Sequence, residues 1–414
     1  MIKEAIILAG GLGTRLRDAV PDLPKCMAPV AGRPFLFYVI NALRMEGVER
    51  FVFSLGHKHE VIETYLADQF SRLDYQCVIE EEPLGTGGAI QLACQNAQDE
   101  NVIVANGDTL FKINIAQLLA VHESLSADCT LALKSMQNFD RYGVVELNED
   151  NTVKSFKEKQ FYKEGLINGG IYILNKENFL ANNFAVKFSF EKDFLEPQVT
   201  MGKIAGLPQD GYFIDIGIPE DYNKAQLDLQ QPPLDLKNID KDWTLFLDRD
   251  GVINEDKPGS YIFNDEEFIF MNGLPDDFKK LTEKFKYIIV VTNQRGVGRE
   301  LMTEGALKSI HQKMLTGING AGGKVDAIYY CTAVENTDSN RKPNPGMIVK
   351  AKNRFAGIDL SKSIMIGNNP SDMQLGRNAG TYTIFLATTI PDMQLPHPDI
   401  DMLFASLADF AKAL

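Results

Sequence analysis

Leu8–Arg17 reads LAGGLGTRLR, a short apolar run, then a loop holding Gly10, Gly11 and Gly13, then arginines. Glycines let backbone amides approach phosphate oxygens with no Cβ in the way, and Arg15 can neutralise charge on a triphosphate. The spacing is neither that of the P-loop nor the full Rossmann fingerprint. From these residues alone a tight strand-to-helix turn is an equally good reading. Lys25 follows in PKCMAPVAGRP, too polar at its start and too rich in proline for a helix interior. Taken alone it reads as a surface lysine. In the second half Asp248 and Asp250 stand one residue apart in DRDGVIN, directly after the apolar run WTLFL. Two carboxylates at a strand end can take different jobs, one as a nucleophile and the other moving protons. The plainer reading is a turn with solvated aspartates.

Such groups need a framework of strands whose ends converge. Ala5–Leu8, Phe51–Leu55 and Asn101–Ala105 read as strands, and Phe35–Glu46 as a helix with apolar positions three and four apart. The alternation predicts βα units and a mostly parallel sheet. Gln230–Asp242, QQPPLDLKNIDKD, breaks the pattern with a proline pair and polar residues. This places a first domain over 1–230, a linker over 231–242 and a second domain over 243–414. The second opens on the strand Trp243–Leu247, and strands recur at Tyr287–Val291, Ala327–Tyr330 and Ser363–Ile366. The fold class is therefore α/β in both halves.

The formal net charge of −14 argues against a general nucleic-acid binder, whose domain is normally basic. It leaves room for anionic substrates held in a local basic pocket with a metal ion. The five cysteines, Cys26, Cys77, Cys94, Cys129 and Cys331, show no close pair of the zinc or thiol-redox kind, so reduced cytoplasmic thiols are expected. The start MIKEAIILAGG lacks the length and cleavage pattern of a secretion signal. No apolar run approaches the ~18 residues of a membrane span. The expectation is a cytoplasmic protein with no membrane partner; a homo-oligomer is compatible with everything above.

GGLGTRL followed by Lys25, LGTGGA (Leu84–Ala89), Asn106-Gly107-Asp108, FKEK (Phe156–Lys159), INGGIY (Ile167–Tyr172) and YFIDIGIPEDY (Tyr212–Tyr222) run in the order of the sugar-nucleotide pyrophosphorylase family. The resemblance spans most of the first 230 residues. It implies a Rossmann-like sheet of the GT-A kind and attack of a sugar 1-phosphate on the α-phosphorus of a nucleoside triphosphate. Two anions meet in that reaction, so positioning and cations matter more than a base. By the resemblance, Asp108 and Asp215 hold Mg²⁺, and Arg15 and Lys25 offset phosphate charge. Gly85, Gly87 and Gly88 lie against the nucleotide base, Glu158 and Lys159 contact the sugar and its phosphate, and Asn168 and Gly169 line the sugar pocket. Within the family VPDLPKCMAPVAGRPFL, LGTGGAI and FIDIGIPEDY are most similar to the heptose 1-phosphate guanylyltransferase type. That implies GTP and a heptose 1-phosphate as substrates. Mannose-1-phosphate guanylyltransferases and muramic-acid-phosphate uridylyltransferases remain open alternatives.

DRDGVIN, VVTNQRGVGR, RKPNPGM and DMQLGRNAG resemble the haloacid dehalogenase superfamily, and within it the histidinol-phosphate and heptose-bisphosphate phosphatases. The resemblance implies Asp248 as nucleophile through an aspartyl-phosphate and Asp250 as acid and base. It puts Thr292 and Asn293 at the phosphoryl oxygens, Lys342 beside the nucleophile and Arg341 in substrate specificity. Mg²⁺ would sit among Asp248, Asp250, Asn368 and Asp372. The short span from Asp250 to Thr292 leaves no room for a large cap. Two departures stand out. The segment CTAVENTDSNRKP holds Cys331 but no histidine where relatives carry a zinc loop, so no zinc is expected. Asn368 stands where the fourth motif has an aspartate after its glycine, which removes one negative charge from the metal site. The two resemblances name consecutive steps, removal of the 7-phosphate of a heptose 1,7-bisphosphate and then guanylylation of the heptose 1-phosphate. A phosphatase acting on another sugar, or a second domain that only binds phosphosugars, is the alternative.

Overall fold

The computed structural model describes residues 2–11, 16 and 20–414. They divide into two compact units, Met1–Gln231 and Pro232–Leu414.

The first unit is built on seven strands: β1 (Glu4–Leu8), β2 (Arg50–Leu55), β3 (Asp74–Ile79), β4 (Asn101–Asn106), β5 (Cys129–Phe139), β6 (Tyr162–Asn175) and β7 (Ile204–Pro208). Their spatial order is β7-β5-β6-β4-β1-β2-β3. Pairing is parallel except at β6, which runs antiparallel to both β4 and β5. The mostly parallel α/β sheet read from the sequence is thus borne out. β1 reads as an unbroken apolar run because both of its faces are covered. Ala5 and Ile7 point into one core with the helix Phe35–Met45. Ile6 points into the opposite core with Ile90 and Ala93 of the helix Gly85–Cys94, as the two-residue period of a strand requires.

The second unit carries six strands: β8 (Thr244–Leu247), β9 (Tyr287–Asn293), β10 (Ala327–Cys331), β11 (Ser363–Gly367), β12 (Tyr382–Leu386) and β13 (Met402–Phe404). They are all parallel, in the order β10-β9-β8-β11-β12-β13. β8 is central, with β9 and β11 on either side, so residues just beyond its end gather side chains from both neighbours. Leu234 and Ile239, in the stretch expected as a linker, are buried in this unit's core with Trp243 and Leu245. Among the described residues no helix is long and apolar enough to cross a membrane.

Two candidate active sites

In the first unit β1 and β4 lie side by side with Leu8 opposite Asn106, so the glycine loop and the Asn106-Gly107-Asp108 turn leave the same sheet edge. Gly107 N donates to the Leu8 carbonyl at 2.9 Å, and a Cβ at Gly107 would press on that oxygen at 3.0 Å. Asp215 arrives from far along the chain on a short ribbon, Phe213–Asp215, antiparallel to Thr109–Phe111 with Asp215 opposite Thr109. Lys25 projects from the turn Lys25–Met27, whose Cys26 and Met27 are buried anchors. Its ammonium joins the two carboxylates, 2.6 Å from Asp108 Oδ2 and 3.1 Å from Asp215 Oδ1. The Gly217 backbone N–H also donates to Asp215 Oδ1, at 2.8 Å. Two carboxylates converging on one cation-sized position with hard oxygen donors fit a divalent ion such as Mg²⁺.

Other site residues read from the sequence land less simply. Gly13 and Arg15 lie outside the described residues. Gly10 packs tightly, since a Cβ there would meet Glu80 Oε1 at 2.7 Å, whereas Gly11 faces open space. Glu80 also accepts from Leu84 N at 3.1 Å and so ties the first glycine loop to the second cluster. In that cluster the side-chain-free faces of Gly85, Gly87 and Gly88 were expected to receive a base. They meet the segment Val186–Phe188 instead: Gly87 lies under the Phe188 ring and Gly88 against the Val186 carbonyl. The Phe188 backbone pairs with Leu84 and Gly87, each at 3.1 Å. These glycines are small because a neighbouring segment needs the space. Gly169 similarly packs against the Phe111 ring.

Asn168 is braced, donating to Tyr172 Oη at 2.8 Å and to Glu191 Oε1 at 3.3 Å, and accepting from Gly170 N at 3.0 Å. Glu191, which the sequence did not single out, therefore lies at the predicted sugar pocket; no spacing rule pointed to it. Glu158 and Lys159 are exposed in the loop before β6. No contact among the described residues joins their side chains to the Lys25 trio.

In the second unit Asp248 follows β8. Its Oδ1 accepts from Lys342 Nζ at 2.8 Å and from Arg249 N at 2.7 Å. The buried Lys342 also pairs with Asp372 Oδ1 at 2.6 Å. Burial works against the ammonium, but Asp248 and Asp372 more than offset it, and Lys342 stands above the ordinary lysine value. Asp250 is held by Arg249, with Nη2 at 2.7 and 2.9 Å from its two oxygens. It also accepts from Asn254 Nδ2 at 3.0 Å and Gln294 Nε2 at 2.9 Å. Burial would raise this carboxyl; the Arg249 charge and those hydrogen bonds reverse the effect and set it below the usual carboxylate range. Arg249 is wholly buried, with its Nη1 3.4 Å from His311 Nε2. Arg249, Asn254 and Gln294 were missed as positioning residues, although they lie inside the quoted DRDGVIN and VVTNQ runs.

Other site residues expected in this unit sit in contacts of their own. Asp372 was read as a metal ligand. It is completely buried, spent on Lys342 and on the Asn369 backbone N–H at 3.0 Å, the capping box of the helix Pro370–Ala379. Burial, with the Asp248 charge, lifts its carboxyl to about 6 against the pull of Lys342. The Asp250 carboxylate, also assigned to metal, has both oxygens taken as described. Asn293 accepts from the Lys342 backbone N–H at 3.1 Å, and the buried Thr292 hydroxyl accepts from Gln294 at 3.0 Å, so both brace the site. Arg341 is turned into its own loop, donating to Asn336 Oδ1 at 3.4 Å and the Ala333 carbonyl at 3.3 Å. That loop is organised by Asp338, whose Oδ1 accepts from Asn340 N at 2.8 Å and from Cys331 Sγ at 3.6 Å.

The second oxygen of Asp248 and the carbonyl of Asn368, beyond the ends of paired strands β8 and β11, are donors that could hold a cation. Among the described residues no group of three or more His, Cys, Asp or Glu side chains is poised for a metal. A divalent ion fits these hard oxygens, with one carboxylate fewer than a charge-rich site. Asn368 Nδ2 donates to Thr389 Oγ1, which in turn reaches Asp256 Oδ2 at 3.5 Å. Asp256 faces the same centre: burial and the charges of Asp250 and Asp248 hold its carboxyl above the ordinary value.

A converging carboxylate pair beside a glycine loop and a lysine-screened aspartate at a parallel strand end define a two-unit enzyme of phosphate-group transfer. The chain belongs to the nucleotidyl transferase family, whose model matches residues 4–232; the polynucleotide kinase 3 phosphatase model matches residues 238–410. It thus joins a nucleotidyltransferase and a phosphatase. The first unit is similar to a D-glycero-alpha-D-manno-heptose 1-phosphate guanylyltransferase of Aneurinibacillus thermoaerophilus, 50% identical over 227 residues, covering 55% of this chain and 98% of that protein. HddC from Yersinia pseudotuberculosis is 39% identical over 55% of this chain and all of that one. Its crystal structures alone and complexed with GMP-PN align with TM-scores of 0.51 and 0.50. A D,D-heptose 1.7-bisphosphate phosphatase from B. bronchiseptica, solved with magnesium and phosphate, is 29% identical over 41% of this chain and 96% of its own. Its TM-score is 0.38.

Proposed function

We propose that the two units act in sequence on one phosphorylated heptose. The second hydrolyses the 7-phosphate of a heptose 1,7-bisphosphate, and the first joins GMP from GTP to the heptose 1-phosphate, releasing pyrophosphate. One observation carries this reading: the first unit is half identical, along almost its full length, to a heptose 1-phosphate guanylyltransferase and shares a chain with a unit matched by a phosphatase family model. A phosphatase that leaves a 1-phosphate intact supplies the acceptor such a transferase consumes. The GMP-PN complex of HddC supports guanine as the base.

In the phosphatase, Lys342 screens the charge of Asp248 so that an anionic phosphate can approach the nucleophile. Asp250 starts ionised because Arg249 holds it so. The negative charge of an arriving phosphate then favours its protonation, which readies it to protonate the leaving alkoxide and later to take a proton from water. In the transferase, Lys25 lies where it can pass from the two aspartates to the incoming phosphates. Mg²⁺, held by Asp108 and Asp215 in one unit and by Asp248 and Asn368 in the other, would supply charge neutralisation on the phosphate oxygens. The cytoplasm is the proposed setting.

The test is to incubate the protein with heptose, mannose and muramic-acid phosphates and each of the four nucleoside triphosphates, and to identify the nucleotide sugar formed. GDP-heptose from heptose 1,7-bisphosphate and GTP is expected. Asp248→Asn should abolish phosphate release while pyrophosphate still forms from heptose 1-phosphate; Asp108→Ala should do the reverse. Preferred turnover of a mannose or muramic-acid phosphate would overturn the substrate, and loss of both activities in either folded variant would overturn independent sites.

A further inference from the structure

We infer that Lys25 serves as a resident counter-ion for the Asp108–Asp215 pair, so that the nucleotide-free transferase resists a free divalent cation and takes up metal together with the nucleoside triphosphate. The inference rests on reading those two aspartates as the metal ligands, and it gives Lys25 a task before catalysis begins.

The geometry is that of an occupied cation site. Lys25 Nζ lies 2.6 Å from Asp108 Oδ2 and 3.1 Å from Asp215 Oδ1, and its side chain is only 12% exposed. Gly217 encloses the trio: its N–H donates to Asp215 Oδ1 at 2.8 Å. A Cβ there would meet that oxygen at 2.9 Å and the ammonium at 3.0 Å. The ammonium is therefore packed in, on a stem rooted by the buried Cys26 and Met27.

Without a cation between them, two carboxylates this close would disfavour each other's charge. Lys25 removes that repulsion and halves the net negative charge a free metal ion would meet. A metal entering alone must share the carboxylates with a cation or displace it into poorer surroundings. A triphosphate changes the balance, because its oxygens offer Lys25 another partner just as they offer the metal further ligands. Metal and nucleotide then favour each other's binding, and the coupling is reciprocal.

The experiment uses full-length protein without nucleotide, with Mn²⁺ as the probe and free Mn²⁺ read by electron paramagnetic resonance. Wild type, Lys25→Gln, Lys25→Arg and the double variant Lys25→Gln/Asp108→Asn are titrated. Removing one neighbouring charge predicts about tenfold or greater tightening of one Mn²⁺ site in Lys25→Gln. The gain should be absent in Lys25→Arg, which keeps a cation, and lost in the double variant, while Mn²⁺ at the phosphatase unit stays unchanged in all four. As a second readout, Mg²⁺ should raise the melting temperature of Lys25→Gln more than that of wild type; this also covers a variant that folds poorly without metal. If Lys25→Gln binds Mn²⁺ no more tightly than wild type and gains no extra stabilisation from Mg²⁺, the counter-ion role is wrong even if the aspartates bind metal. If the double variant Lys25→Gln/Asp108→Asn keeps the tightened Mn²⁺ site, the metal-ligand reading itself fails.

Discussion

Asn368→Asp tests the electrostatics of the phosphatase unit directly. Asn368 is 3% exposed and donates its amide to Thr389 Oγ1. A carboxylate of the same shape keeps that contact if the hydroxyl rotates to become the donor. Two unit charges 4 Å apart interact by about 4 kcal/mol at an effective dielectric of ~20, and a divalent ion by more. Burying another carboxylate costs several kcal/mol in the metal-free fold, more so beside Asp248 and Asp256, and raises its pKa, so that metal must displace a proton and part of the gain is lost. The balance is about 1.5–3 kcal/mol in favour of metal binding, or roughly 10–100-fold in Mg²⁺ affinity. With no metal the same charge lacks a partner, and the second unit should lose about 3 kcal/mol or more of stability. Phosphate release followed across a Mg²⁺ titration, with urea unfolding in EDTA, measures both effects. Half-saturation at the same Mg²⁺ concentration in wild type and a folded Asn368→Asp would refute the claim that the missing carboxylate sets metal affinity. Absence of phosphate release in wild type at millimolar Mg²⁺, with release in the variant, would favour a second unit that binds phosphosugars without hydrolysing them.

Three further outcomes are expected. Asp372→Asn leaves Lys342 with one carboxylate and weakens the capping box, and should cost about 3–5 kcal/mol by urea unfolding, with phosphatase activity falling and guanylyl transfer intact. Gly87→Ala forces a methyl into the Phe188 ring and should cost about 1–3 kcal/mol while raising KM for the nucleotide; an unchanged KM would show that the Val186–Phe188 segment does not bear on the nucleotide. Burial pushes His122 and His311 each down to about 4 from 6.5, with Arg249 adding to the effect at His311. A base depressed on folding is protonated first in the unfolded chain, so stability is full above pH 6.5 and is lost as pH falls from 6.5 towards 4. Each histidine accounts for up to about 3 kcal/mol. Urea unfolding at pH 7.5 and 5 should show the loss in both units, His122→Gln removing it from the first and His311→Gln from the second; a flat profile would refute it.

Much of the architecture was legible because it depends on local pattern. Apolar runs such as EAIIL and TLFL have to be strands covered on both faces, and their alternation with amphipathic helices leaves a parallel α/β sheet as the economical arrangement. The antiparallel direction of β6 within the seven-stranded sheet was not legible, because direction within a sheet depends on which connection crosses it. Asp248 and Asp250 could be read because two residues of one turn share a strand end. The pairing of Asp372 with Lys342 was not legible, since sequence proximity to Asn368 says nothing about the buried cation beside its carboxylate.

The sequence by itself determined the chemical inventory: glycine loop, lysine, spaced aspartates, and an asparagine where a carboxylate would add charge. Only the tertiary structure decided how that inventory is used. Lys25, Asp108 and Asp215, scattered from residue 25 to residue 215, meet at one point because β1 and β4 adjoin and the ribbon Phe213–Asp215 pairs with Thr109–Phe111. The glycines of LGTGGA turned out to make room for Val186–Phe188, a contact between segments a hundred residues apart. The reason is physical: residue type states what a group can bind, but ion pairing, burial and close packing are set by neighbours that the chain brings together only when it folds.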